Sequence, residues 1–396
     1  MYALLFADAG LSVGQVSSLF ALWAVSGVLA EAPSGAWADA HSRRAALRAG
    51  PLLTAAGFAL WVWAPSYGSF AAGFALWGVG GALASGALEA LVHDELTRAG
   101  AAARYPAVMG RARTAETLGV VASMAVAGPL LEAGGYALVG AVSVAACVLA
   151  SAVAHTMREH RGPTDMPEHR GPTGPGDGRT PSGEADGRTP SGEADGRTPS
   201  GEGDERRVRP ARWPAGALLL VPAVAGVWGA LDEYTPLLVR EAGAGDGQVS
   251  WYLLLVWAGA AAGGLLAGWA GRWCGRRGLA LLLVASAALL AAGAWLATPL
   301  GTASLVGLAF AGFQLATVLA DARLQDAIQG PGRATVTSVA GMGTDLVVIA
   351  TYAAYGALGA PHGLAFTVLA CAYAVPAALL LLRRRPPGRG GATNRR

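Results

Sequence analysis

Polar positions along this chain come in clumps, and the stretches between them are long and apolar. Residues 11–30, 49–88 and 278–320 hold no charged residue, and residues 334–382 hold only Asp345. A membrane-crossing helix needs about 20 mostly apolar residues. Residues 49–88 therefore fit two helices, divided at the Pro/Gly turn "APSYGS" (64–69). Residues 278–320 fit two more about "TPLGT" (298–302), and residues 334–382 divide near Gly359–Gly363. Further spans are predicted at 15–38, 108–131, 135–156, 214–240 and 249–272. The pattern predicts an all-α membrane protein with eleven full spans. "MYALLFADAGLS" reads as the last turns of one more helix, a stub of the first. Such helices are hydrophobic all round, so periodicity does not say which face is buried. Length, breakers and charge placement carry the assignment.

Composition agrees: 53% of residues are hydrophobic and 14% charged, against about 25% charged in soluble domains. All 29 basic residues are arginine, which excludes a lysine phosphate loop. The three cysteines, Cys147, Cys274 and Cys371, form no C-x-x-C and show no metal-ligand spacing. No Ser/His/Asp set and no H-E-x-x-H point to an enzyme, and no cofactor is expected. Threading the chain through eleven spans puts 28 arginines on one side and only Arg240 on the other. By the positive-inside rule the arginine side is cytoplasmic, together with the C-terminus. Trp61, Trp63, Trp213, Trp251, Trp273 and Trp295 fall near span ends and read as interfacial anchors.

The spans divide into two groups. Residues 1–156 hold the stub and five spans, residues 213–383 hold six, and 384–396 form a basic cytoplasmic tail. Between the groups, residues 157–212 carry a nine-residue beat: "EHRGPT" at 159 and 168, then "DGRTPSGEA" at 177 and 186 and "DGRTPSGEG" at 195. With almost no apolar position this segment has nothing to bury, and a disordered cytoplasmic linker is expected. Two similar bundles joined by a linker are typical of secondary transporters, whose substrate site lies between the repeats.

The stretch "GAWADAHSRR" (35–44) closes the second helix on the arginine side. It resembles the major facilitator superfamily signature G-x-x-x-D-[RK]-x-G-[RK]-[RK], with Gly35, Asp39, Arg43 and Arg44 matching and Ala40 and Ser42 departing. "GWAGRWCGRR" (268–277) is a worn second copy, with Gly268, Gly275, Arg276 and Arg277 at the same offsets and Arg272 in the acid's place. The resemblance, closest to the branch of drug and small-solute exporters, implies two six-helix pseudo-symmetric bundles. It also implies that Gly35 and Asp39 latch the cytoplasmic side against the eleventh helix, which begins near 332–339. Asp94 is expected to extend that latch by pairing with Arg43, Arg111 or Arg113, and Glu116 lies beside it. Two features of proton-coupled exporters are not found. The fourth helix has no arginine before Arg98, and four residues, not two, separate Gly128–Pro129 from Gly134–Gly135.

Ionisable residues inside spans cost at least about 2.5–3.5 kcal/mol for Asp or Arg on insertion scales, which makes them functional candidates. Here they are Glu31, Glu89, Glu116, Asp232, Glu233 and Asp345, with Pro236 expected to break the helix beside the adjacent pair. The family lines its cavity with helices 1, 4, 7 and 10, which favours Asp232 or Glu233 for substrate cations or protons. As neighbours they cannot both face inward. A carboxyl removed from water holds its proton to higher pH, the property a proton carrier needs. The expectation is secondary active export of a small organic solute by a monomer in the plasma membrane, with protons as a candidate coupling ion. No nucleic-acid partner is expected. The alternative is a protein of the same fold that no longer transports and acts as a sensor or assembly factor.

Overall fold

The computed structural model describes residues 1–157, 159, 215–328 and 333–382, apart from the side chains of Asp39, Pro106, Ala215, Arg333 and Ala334. Apart from Met157 and Glu159, the repeat linker and the basic tail lie outside these residues. In chain order the helices are α1 (Tyr2–Asp8), α2 (Val13–Ala40), α3 (Arg43–Trp63), α4 (Tyr67–Arg98), α5 (Tyr105–Thr156), α6 (Ala215–Leu218) and α7 (Leu220–Asp232). They continue as α8 (Thr235–Glu241), α9 (Asp246–Ala270), α10 (Arg276–Ala294), α11 (Pro299–Ala327), α12 (Arg333–Leu358), α13 (His362–Ala370) and α14 (Ala374–Leu382). No strand occurs among the described residues.

The helices start where the sequence supplies caps. Ser12, Ser42 and Ser66 each accept a hydrogen bond from a backbone N–H one turn on, opening α2, α3 and α4. Among the described residues nine helices are long and apolar enough to cross a membrane, or ten if the bent pair α6–α7 plus α8 counts as one span. One of the nine contains the 52-residue α5, about 78 Å of helix and more than twice a bilayer core. It is broken at Gly134 and at Gly135, which has φ +63°. Gly135 supplies the left-handed conformation that lets the chain turn back. The two ends of α5 return to the arginine side, where Arg113 reaches Glu89 and Met157 O accepts from Arg44. Its middle lies on the opposite side, where Tyr136 donates to Asp8.

Within each half, small residues let helices approach closely. A Cβ on Gly50 of α3 would come 2.6 Å from Gly80 O of α4. Between the halves, α2 packs against α12 and α5 against α9. The buried apolar residues form one large cluster that includes both halves. On the arginine side the core divides. Ala46, Leu47, Leu91 and Ala154 form a small cluster in the first half, and Leu324, Ile328 and Val336 form one in the second.

The tryptophans correct one expectation. Trp63, Trp251, Trp273 and Trp295 are exposed, as span-end anchors are. Trp61 is 3% exposed: its Nε1 donates to Phe70 O at 3.1 Å, and its ring packs on Phe6, Phe58 and Phe74. It belongs to the core, and Trp213 lies outside the described residues.

Candidate functional site

Four helices, two from each half, wall a cavity of about 540 Å³. α2 supplies Trp23 and Glu31, α4 supplies Trp77 and Ser85, α7 leads to Glu233, and α12 supplies Asp345 and Tyr352. Trp23, Trp77, Glu233 and Tyr352 form its floor. Glu31 is eight residues beyond Trp23, and Asp345 seven before Tyr352. At 1.5 Å per residue both sit about 11–12 Å nearer the arginine side, facing across the seam at one level.

The floor is built at a break. α7 ends at Asp232 and α8 begins at Thr235 with Pro236 in its first turn, and the two axes differ by 52°. Proline has no N–H to donate, so the helix cannot continue through it undisturbed. At the break Glu233 turns to the cavity and accepts from the Tyr2 hydroxyl. Asp232 lies instead beside Trp257 of α9. Only one of the two adjacent acids faces the cavity, as their spacing requires.

Beyond the floor the seam is shut. Tyr234 stacks on Tyr355 with ring centroids 3.6 Å apart, and its hydroxyl donates to Ser17 Oγ at 2.8 Å. Phe20 of α2 packs on Tyr234 and Tyr352 at 5.2 and 5.5 Å. All four rings are at most 1% exposed. A polar layer covers this plug: Arg240 donates to Asp8 at 2.6 Å and lies 3.6 Å from Asp246, while Tyr136 donates to Asp8 at 2.5 Å. Sequence reading missed the plug and Asp8, and it placed Arg240 only as the odd arginine out.

Toward the arginine side the seam parts. Glu31 is exposed, and a Cβ on Gly35 or Gly341 would meet nothing within 4 Å. The close approach expected at Gly35 is absent here, because this end of α2 stands away from α12. Asp39 falls among the side chains not described. Arg43 pairs with Asp94 in its own half. Glu159 accepts from Ser42 Oγ and from the backbone N–H groups of Arg43 and Arg44. Its carboxylate thus caps α3, a place where a helix favours an anion. No sequence pattern points to this cap, since Glu159 reads as part of the repeat. Arg44 also donates to Met157 O. These contacts of Arg43 and Arg44 therefore lie within their own half.

The second copy lies at the matching turn. Gly275 opens α10, Gly268 has open space around it, Arg272 and Arg277 are exposed, and Arg276 donates to Leu380 O at 3.2 Å. This turn is pinned from α11 by Arg323, which donates to Cys274 O at 2.7 Å. Glu89 does not line the cavity. It pairs with Arg113 at 3.0 Å, and Arg113 also pairs with Glu116 at 3.1 Å, all three being at least half exposed. Arg111 is exposed on the same helix. Among the described residues no cluster of His, Cys, Asp or Glu could hold a metal ion.

The comparisons with known proteins agree with this architecture. The structure is similar to the crystal structure of the nucleoside transporter NupG, with TM-score 0.66 and 12% identity over 95% of this chain and 92% of that one. At that identity the likeness concerns the fold. Among curated proteins no sequence matches. The sequence model of the Major Facilitator Superfamily matches residues 1–351. With that match over most of its length, and two bundles meeting around a cavity, this chain belongs to the major facilitator superfamily.

Proposed function

We propose that the protein is a secondary transporter that exports a small organic solute from the cell by alternating access, with its arginine side in the cytoplasm and its spans in the plasma membrane. One observation carries this reading. The cavity between the halves is open toward the arginine side and shut from the other by the Phe20–Tyr234–Tyr352–Tyr355 plug. Such a site receives a solute from one side, and release to the other requires the halves to rock about it. The broken helix at Asp232–Tyr234 lets the plug move with α8. Glu233, which shares a hydrogen bond with Tyr2 at the cavity floor, is the group we assign to coupling with protons.

The test is flux. The full-length chain in proteoliposomes, loaded with a broad panel of labelled organic solutes, is expected to show saturable, protein-dependent movement of at least one. Glu233→Gln should then uncouple that movement from an imposed proton gradient. A folded preparation that moves nothing across the panel overturns the transport reading. Solute binding without flux would favour a sensor of the same fold.

A further inference from the structure

We propose that the cavity is built for an organic cation, which Glu31 and Asp345 clasp from the two halves of the molecule. The inference rests on the reading that a small organic solute enters this cavity, and it names that solute's chemistry. Three carboxylates line the cavity, those of Glu31, Glu233 and Asp345, and none of the described residues lining it is basic. Its floor is aromatic. Trp23 and Trp77 stack with centroids 5.0 Å apart, and Tyr352 stands opposite on α12. An aromatic face beside carboxylates attracts a cation through both its ring quadrupole and the fixed charge. A volume of about 540 Å³ suits a drug-sized organic molecule. A bare proton needs no such walls.

The placement of the two acids adds a mechanical consequence. Glu31 belongs to α2 and Asp345 to α12, one of the two helix pairs that meet between the halves, and Asp345 lies within the field of Glu31. Closing the arginine side brings α2 and α12 together and takes both carboxylates out of water. With nothing between them, like charges approach while losing hydration, and each loss is costly. A neutral solute leaves that cost standing and an anion raises it. A cation between the two removes it. Closure is thereby conditional on cargo: the loaded carrier closes, and the empty one stays open toward the arginines.

A pair of ions of equal size and opposite charge tests this. Tetraphenylphosphonium and tetraphenylborate are measured for saturable binding to the full-length chain in nanodiscs. The expected result is saturable binding of the phosphonium alone. Glu31→Gln and Asp345→Asn should each weaken it by at least about tenfold, the loss that follows truncation of one charge in a desolvated set. Glu31→Asp, which keeps the charge, should stay within about threefold of the parent. No saturable phosphonium binding, equal binding of the borate, or unchanged affinity in both neutralised variants overturns the proposal. If either variant fails to fold, the comparison of the two ions on the parent decides. The two readings fail separately. Charge-selective binding with no flux of any solute removes transport and leaves the cation site, while flux without charge selectivity removes the cation site and leaves transport.

Discussion

The helices α2 and α12 meet at one end of the molecule and part at the other, and both ends carry glycine. On the closed side a Cβ on Gly356 would stand 2.8 Å from Ser17 Cβ, and one on Gly14 3.7 Å from Gly356 O. On the arginine side Gly35 and Gly341 have open space around them. Small residues permit close approach at either end, so they do not choose between the ends. The groups beside them differ. The closed end is complementary: Tyr234 donates to Ser17, Arg240 donates to Asp8, and Phe20 fills the space between. The open end sets Glu31 facing Asp345, acid against acid. The seam thus closes where its two sides attract and opens where they repel. A cationic cargo at the open end reverses that preference.

The most forceful way to break the contrast is a wedge. Gly356→Leu places a branched side chain where Ser17 and Gly14 already lie, and overpacking of this kind costs about 1–3 kcal/mol. The closed end should give way. In a variant whose three cysteines are serine, a single cysteine at Ser17 should react with an impermeant maleimide at least about fivefold faster once the wedge is present. Unchanged labelling of a folded wedge variant would show that this end is not held by close packing. A gentler change is Tyr234→Phe, which keeps the ring stack and removes only the hydrogen bond to Ser17 Oγ. Its loss is worth about 1 kcal/mol, or roughly fivefold in the labelling rate of a single cysteine placed instead at buried Val16, which keeps the Ser17 hydroxyl in place. Next is Arg240→Gln. The pair with Asp8 is 28% and 39% exposed, so its removal should cost at most about 1 kcal/mol. The effect should shrink as salt rises, and a large, salt-insensitive change would contradict a partly exposed pair.

How much of this was legible beforehand follows from what each signal measures. Charge-free runs and their Pro/Gly breaks report span length, and they put the turns in the right places. Pro236 marked the broken helix because a missing N–H is local information. Glu31 and Asp345 stood out because a carboxylate in an apolar run is costly wherever it faces. Facing itself was not legible. A tryptophan at the end of an all-apolar helix looks the same whether it meets lipid, as Trp63 does, or the core, as Trp61 does. Phe20, Tyr234, Tyr352 and Tyr355 left no pattern for the same reason, and the plug emerged only when three separate segments met, α2, the α7–α8 break and α12. Gly35 was read as a close contact, but its contact depends on which end of the seam is shut. Glu89 was read as a pathway acid from its depth along α4, and depth does not report the side of a helix.

That last residue gives the smallest expected effect. Arg113 holds Glu89 at 3.0 Å and Glu116 at 3.1 Å, with its own side chain 65% exposed and the acids 51% and 62%. Water competes for all three groups, and exposed ion pairs are worth about 0–1 kcal/mol. Arg113→Ala leaves two exposed carboxylates that water solvates, and it touches neither the plug nor the clasping acids. Solute flux and cysteine labelling at Ser17 should therefore each change by less than about twofold, the shift of a pair worth about 0.4 kcal/mol. Glu89→Gln should behave alike, because the carboxylate it removes lies outside the cavity. A tenfold fall in flux from Glu89→Gln, with labelling unchanged, would put Glu89 back on the solute's path. The walls of the cavity would then extend along α4 past Ser85 toward the arginines. An equal fall from both variants would instead make the three-residue cluster part of what keeps this end of the seam apart.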